Sequence, residues 1–293
     1  MNRNKFLEHV GWTAAGIAFV MGADGVVSGR PLADVGSGDR TLFVQISDSH
    51  LGFHLPANPD VLGTFNAAIA GINALPVQPN FVIHTGDVTH LATPEQFDAG
   101  KTALAALRAP SVVIPGEHDM LGGPKHFFDA FAKKGGDGWF SWDESGVHYI
   151  ALINVFDFEN MGLLGSKQLD WMAGDLKGVK RSTPVVVFAH VPLYALYPAW
   201  GWTTEDGAKA LALLARFDNV TVLNGHIHQV IHHVDGNLRF ATANATAYPQ
   251  AAPGMAPHPG PLKLPHGDLL HVLGFRRVTL DNGVAHLDDR TLG

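Results

Sequence analysis

Short apolar runs that end in Gly, Asp or His alternate along this chain with longer stretches whose apolar residues recur every three or four positions. The first pattern is that of a buried strand stopping at a tight turn, the second that of a helix with one face on a core. Residues 42–46 read as a strand and 61–75 as a helix. Phe81-Val-Ile-His-Thr-Gly-Asp-Val-Thr-His90 opens as a strand that stops where Gly86 lets the backbone turn, leaving Asp87 at its mouth. A helix follows Pro94, a residue suited to a first turn, and residues 111–114 form the next strand. Residues 139–142 and 147–153 read as an antiparallel hairpin, 165–176 as a helix, 183–189 as a strand, 205–214 as a helix and 220–223 as a strand. This alternation is parallel α/β winding. Past Gly225 it stops, and residues 230–234, 238–243, 270–280 and 284–287 read as an antiparallel meander with turns at Asp235-Gly236 and Asp281-Asn282-Gly283. Residues 251–267, rich in proline and glycine, are the one long irregular loop, of the kind that serves as a lid, a binding surface or a disordered segment. There is no internal repeat.

Composition narrows the chemistry. At 293 residues, 46% hydrophobic and 16% charged, the chain is expected to fold as one large domain over residues 41–293. A net charge of −7 without a lysine or arginine block gives no footprint for nucleic acid or acidic lipid. There is no cysteine, so any metal must rest on histidine and carboxylate, and histidine is abundant at seventeen. Residues 1–40 read as a signal-like segment and linker: Arg3 and Lys5 precede an uncharged run over 10–22 that is too short to span a bilayer and matches an export h-region. Arg3-Asn4-Lys5-Phe6-Leu7-Glu8 resembles a twin-arginine motif with Asn4 at the second arginine, and no good Ala-x-Ala cleavage site follows. Export to the periplasm is the expectation; the alternative is a cytoplasmic protein whose N-terminal helix packs on the body. Nothing in the sequence sets the oligomeric state.

The ends of the strand-like runs carry the chemistry: Asp48-Ser-His50, Gly86-Asp87, Gly116-Glu-His-Asp119, His190 and Gly225-His-Ile-His228. Open α/β sheets place their sites at those ends. A hydrolytic two-metal centre needs a carboxylate shared by ions roughly 3.5–4 Å apart, with further nitrogen and oxygen ligands around them. Taken singly, Asp48 reads as a turn or cap residue, Gly86-Asp87 as an ordinary turn, and His190 as a core histidine bonded to backbone. Their joint occurrence requires a shared centre. His84 alternates away from the strand end and is expected in packing.

The order of these motifs resembles the calcineurin-like metallophosphoesterase superfamily over roughly residues 42–228. The resemblance is closest to the bacterial branch that includes class III cyclic-nucleotide phosphodiesterases, where a segment like Gly165-Ser-Lys-Gln-Leu-Asp-Trp171 also occurs. It implies a four-layer α/β/β/α sandwich and two divalent or mixed-valence ions of manganese, iron or zinc. The implied reaction is hydrolysis of a small-molecule phosphate ester, a phosphodiester first, by a hydroxide held on the metals. Phosphomonoesters and pyrophosphate-linked lipids are the alternatives, and a non-catalytic metal-dependent phosphate-binding protein is the competing class. Carried over, Asp48, His50 and His228 hold one ion, Asp87 bridges, and Glu117, His190 and His226 hold the second. His118 is then the histidine that touches the phosphoryl oxygen or protonates the leaving group. At Glu117 the chain departs from the family, whose third motif is Gly-Asn-His followed by an acid. A carboxylate there either ligates, making the second site harder, or swings away. His90, at the position where purple acid phosphatases carry an iron-binding tyrosine, is either a ligand or a support to one. His54, Tyr194, Tyr197, Trp200 and Trp202 either rim the pocket or close the edge of the core.

Overall fold

The computed structural model describes residues 17–21, 27–31, 42–131, 137–156, 161–265, 267–281 and 283–293. In chain order the elements are β1 (Ile17–Met21), β2 (Val27–Pro31), β3 (Phe43–Ile46), α1 (Val61–Asn73), β4 (Phe81–His84), α2 (Pro94–Leu104), β5 (Ser111–Val113), α3 (Lys125–Phe131), β6 (Phe140–Glu144) and β7 (Val147–Ala151). They continue with α4 (Ser166–Leu176), β8 (Val185–Phe188), α5 (Gly207–Leu214), β9 (Val220–Asn224), β10 (His232–Asp235), β11 (Leu238–Thr242), β12 (Gly274–Asp281) and β13 (Val284–Thr291). One sheet has five strands in the order β13-β12-β3-β4-β5 and a second has six, β10-β11-β9-β8-β7-β6. Within the first, β3, β4 and β5 are parallel; within the second, β7, β8, β9 and β11 are.

Alternation along the buried strands sorts their side chains between layers. Phe43, Phe81 and Ile83 turn inward to meet Tyr149, Val186, Phe188 and Leu223 of the facing sheet. Val44, Ile46 and Val82 turn outward onto Phe65, Ile69 and Ile72 of α1 and Ala103 and Leu104 of α2. Val185, Val187, Val220 and Val222 likewise meet Met172 and Leu176 of α4 and Ala210 and Leu214 of α5. The result is the α/β/β/α sandwich. Asp60 and Thr93 cap the first two helices, accepting from Gly63 N and Gln96 N, and Pro94 occupies the first turn of α2.

The antiparallel C-terminal strands form two hairpins rather than one continuous ribbon. β10–β11 joins the six-stranded sheet through a parallel β11–β9 pairing, and β12–β13 joins the other through an antiparallel β12–β3 pairing. Turn residues announce each hairpin, but the edge it joins depends on distant partners. Strand β12 begins at Gly274, after a 3-10 turn over Leu269–His271. Helix α3 and a 3-10 turn over Glu117–Met120 carry too few residues to show a helical period. Residues 17–21 form a strand paired with Val27–Pro31 rather than a helix, and Ile17, Phe19 and Val20 favour strand. The rest of the export-like run lies outside the described residues, among which no helix is long and apolar enough to cross a membrane.

One polar group ties the sheets together. The Arg276 side chain, fully buried on β12, donates to Asp289 Oδ1 at 2.8 Å, to Gln45 Oε1 at 3.2 Å and to the Thr242 carbonyl of the opposite sheet at 2.9 Å. Gln45 in turn donates to the Asn224 carbonyl at 3.1 Å. Arg276→Met keeps the length of the side chain and strands these acceptors, so it is expected to lower stability by about 3 kcal/mol. Urea denaturation measures this, and an unchanged midpoint would show the tie to be dispensable.

Candidate metal centre

The parallel strands end along one edge, and the loops leaving five of them bring in the chemistry. Asp48 and His50 follow β3, Asp87 and His90 follow β4, Glu117 and His118 follow β5, His190 follows β8, and His226 and His228 follow β9. Three all-buried groups result: Asp48/His50/His228, Glu117/His190/His226 and, spanning them, Asp48/Asp87/His190. In the first, Asp48 Oδ1 lies 3.4 Å from His228 Nε2, and His50 Nε2 lies 3.2 Å from the same atom. In the second, the two Glu117 oxygens lie 2.8 Å from His190 Nε2 and 2.8 Å from His226 Nδ1. Asp87 Oδ2 stands between them, 3.5 Å from His50 Nε2 and 3.5 Å from His190 Nε2.

The fit to metal rests on what these atoms lack. Among the described residues nine buried side-chain polar atoms have no hydrogen-bond partner, and five of them are Asp48 Oδ2, Glu117 Oε2, His190 Nε2 and both ring nitrogens of His226. Glu117 and His190 approach closely, yet not with hydrogen-bond geometry. Ligands about 2.1 Å from one ion and at right angles to each other lie about 3 Å apart, which is the spacing seen. Buried orphans gathered at one place are the mark of a cation site. Glu117, only 5% exposed, does not swing to solvent.

The charge pattern agrees. Burial raises the Asp48 carboxyl, but His228 and His190 bring it down to about 2. Burial also raises Glu117, and His226 and His190 outweigh it and hold the carboxylate well below its usual range. Burial, then the neighbouring His118, His228 and His90, push His50 well below its ordinary value and keep its imidazole neutral, the form that binds metal. At His118 burial lowers the ring's proton affinity, but Asp87 and Glu117 raise it above the ordinary value.

Holding these groups together strains the backbone. Seven non-glycine residues among those described have positive φ, and five are Asp48, His50, Asp87, His226 and His228. Such conformations cost of order 1–3 kcal/mol each and persist at functional sites. Gly86, at φ 104°, could not carry a methyl group, which would lie 2.4 Å from His190 Nδ1 and 2.7 Å from Gly116 N. Gly116 is confined in the same way by Asp87 Oδ1, 2.1 Å from a would-be methyl.

A surrounding set of bonds orients the ligands. His190 Nδ1 donates to the Thr85 carbonyl at 2.7 Å, His228 Nδ1 to the Tyr248 carbonyl at 2.6 Å and His118 Nδ1 to the His90 carbonyl at 2.7 Å, which leaves each Nε2 as the second ring nitrogen. The His118 amide donates to Asp87 Oδ1 at 2.8 Å and the His226 amide to Asp48 Oδ1 at 3.1 Å. Asp119 accepts from the amides of Val88, Thr89 and Gly116 and from Thr89 Oγ1, binding the Asp87 loop to the Glu117 loop. Residues 246–250 cross the site as a strap. Thr246 N donates to the Ser47 carbonyl at 3.0 Å, Ala247 N to that of Asp48 at 3.1 Å and Gln250 Nε2 to that of His226 at 3.0 Å, while the Tyr248 ring stacks on His50.

Every residue that the sequence assigns to the ions or to proton transfer is therefore found in one cluster. His84 is packed beneath α1, bonded to Ser49 at 3.0 Å and edge-on to Phe65, and burial brings it down to about 3. His90 contacts His50 and His118. Trp202, Tyr197 and Trp200 pack with Ile227 and Ile231, so this aromatic group supports the His226–His228 loop from behind. Tyr194 stacks on His233, and His54 is exposed. Asp119 stands out only as part of its motif, and Thr85, Tyr248 and Gln250 were not identifiable as site-forming from the sequence. Only Asp119, beside a ligand motif, carries a local signal; the strap lies in chain without periodicity.

A model of the calcineurin-like phosphoesterase family matches residues 41–230. The chain is 25% identical over 217 residues to a glycerophosphodiester phosphodiesterase of Enterobacter lignolyticus, covering 71% of this chain and 78% of that one. It is 24% identical over 213 residues to a 3',5'-cyclic-nucleotide phosphodiesterase of Nostoc sp., covering 70% and 77%. In fold it is similar to a dimetal phosphatase from Danio rerio, with a TM-score of 0.62 at 13% identity over 87% of this chain and 98% of that one.

Gly86→Ala combines a forbidden φ with a methyl group thrust at His190. It is expected to lower stability by about 1–3 kcal/mol, read as a fall in the thermal midpoint; an unchanged midpoint would show that the turn relaxes freely.

Proposed function

The chain belongs to the calcineurin-like phosphoesterase family, and from that premise we propose that it hydrolyses phosphodiesters with two metal ions. The observation that carries this reading is the position of Asp87, whose Oδ2 lies equally far from a histidine of each cluster. Asp48, His50 and His228 would hold one ion and Glu117, His190 and His226 the other, with the Asp87 carboxylate placed between the two groups. When bound, the ions supply Lewis acidity toward the phosphoryl oxygens and an activated water. Manganese or iron suits the second group, where Glu117 adds a hard anionic oxygen.

His118 supplies the proton. Its Nδ1–H is committed to the His90 carbonyl, its amide is bonded to Asp87, and the charges of Asp87 and Glu117 favour the protonated ring. The ring is thus held in one orientation beside the Asp87 carboxylate, as a donor to a leaving oxygen must be.

Charge favours a diester. Among the described residues Asp48, Asp87 and Glu117 find only histidines as cationic partners. Two divalent ions and His118 as proton donor, set against three carboxylates and a hydroxide nucleophile, would leave about one positive charge, which matches the single charge of a diester better than the double charge of a monoester. The two curated relatives compared above are named for diester cleavage.

Manganese-loaded protein is expected to turn over bis-p-nitrophenyl phosphate faster than p-nitrophenyl phosphate, and Asp87→Asn to lose both ions by elemental analysis. Preference for the monoester would overturn the substrate class; two ions retained in Asp87→Asn with normal turnover would overturn the bridge. His118→Ala is expected to lower turnover roughly 10²–10⁴-fold with metal content kept. The loss should be smaller for nitrophenyl than for alkyl leaving groups, and equal losses would remove the proton-donor role.

A further inference from the structure

His90 is a histidine that the ligand set does not use, yet it touches two residues that the set depends on. Its Nδ1 lies 3.3 Å from His50 Nδ1. Its ring stacks on His118 with centroids 4.8 Å apart and planes 17° apart, and meets the Phe53 ring edge-on at 5.2 Å. Its carbonyl accepts the His118 Nδ1 proton at 2.7 Å. The loop that carries it is pinned by Gln96, whose Oε1 accepts from the amides of His90 and Leu91 at 3.2 and 2.8 Å.

The tautomers follow from these contacts. His50 presents Nε2 to Asp87 and His228, and an imidazole can ligate only through an unprotonated nitrogen. The His50 proton must then sit on Nδ1, where the atom facing it is His90 Nδ1. That atom accepts, so the His90 proton sits on its own Nε2. His190 and His228 pass the corresponding proton to backbone carbonyls, whereas His50 passes it to a side chain.

We propose that His90 is the positioning residue for His50: its imidazole accepts the His50 Nδ1 proton and so fixes the ring that serves the Asp48/His50/His228 ion, while its stacked face steadies His118. This rests on the two-metal reading above. It makes one ion of the pair sensitive to a side chain that need not touch metal, since a hydrogen-bond partner of a ligating histidine sets both the ring's orientation and its basicity.

The test compares wild type with His90→Phe, which keeps a packing ring but removes the acceptor, and His90→Asn, which keeps an acceptor oxygen near the position of Nδ1. Chelator-stripped protein is titrated with manganese, bound ions are counted by elemental analysis, and thermal midpoints are recorded alongside. Wild type is expected to take up two ions. His90→Phe should bind one of the two about 10–100-fold more weakly, with its thermal midpoint close to wild type, and His90→Asn should restore most of the affinity. In the double variant His50→Ala/His90→Phe, no loss beyond that of His50→Ala alone would assign the effect to the His50 ion. Equal affinities in all three proteins, or an equal loss in His90→Asn and His90→Phe, would overturn the inference while leaving the two-metal reading intact. A third ion in wild type that His90→Phe loses would make His90 a ligand and overturn it too. Wild type that takes up no manganese would instead overturn the two-metal reading, and this inference with it.

Discussion

Three carboxylates, Asp48, Asp87 and Glu117, are buried beside four imidazoles where the loops of two sheets meet, and burying such charge is costly unless opposite charge is brought to it. That electrostatic demand orders the surroundings. It explains why the unpartnered buried polar atoms gather here, why the carboxyl groups of Asp48 and Glu117 stay ionised despite burial, and why strained backbone is tolerated at five of these residues. The site is a place where positive charge returns stability to a fold that has otherwise spent it.

The candidate ligands come from both sheets. Asp48, His50, Asp87 and Glu117 leave the ends of the five-stranded sheet, and His190, His226 and His228 leave the ends of the six-stranded one. Neither sheet alone brings two groups to one another, so the centre depends on the apolar layer between them and on the polar tie of Arg276 and Gln45 beside it. The aromatic group around Trp202 does the same work locally, filling the space behind Ile227 so that the histidines flanking it face the opposite loops. Stability and chemistry are joined at these contacts.

The surrounding bonds differ in kind from one histidine to the next. Backbone carbonyls fix His190, His228 and His118, and those acceptors move only if the chain does. His50 instead leans on a side chain, and His226 is held chiefly through its backbone, between Asp48 and Gln250. The strap of residues 246–250 falls beyond the residues that match the family model, yet it bonds to the loops that follow β3 and β9.

Local sequence determined much of this. Buried strands announce themselves by unbroken apolar runs and helices by their period, so β3, β4, β8, β9 and the long helices fall close to where the pattern put them. Ligand motifs are also local, because each sits at the end of one strand, and their order along the chain was enough to pick out Asp48, His50, Asp87, Glu117, His190, His226 and His228 as one set. What only the tertiary structure decided are relations between distant segments. The sheet edge each C-terminal hairpin joins, the inward turn of Glu117, the bond from His90 to His50 and the crossing of Tyr248 over the site involve partners from well-separated stretches of chain or a choice between two orientations of one side chain. Periodicity and motif spacing report on neighbours along the chain; these contacts exist only once the two sheets have packed face to face.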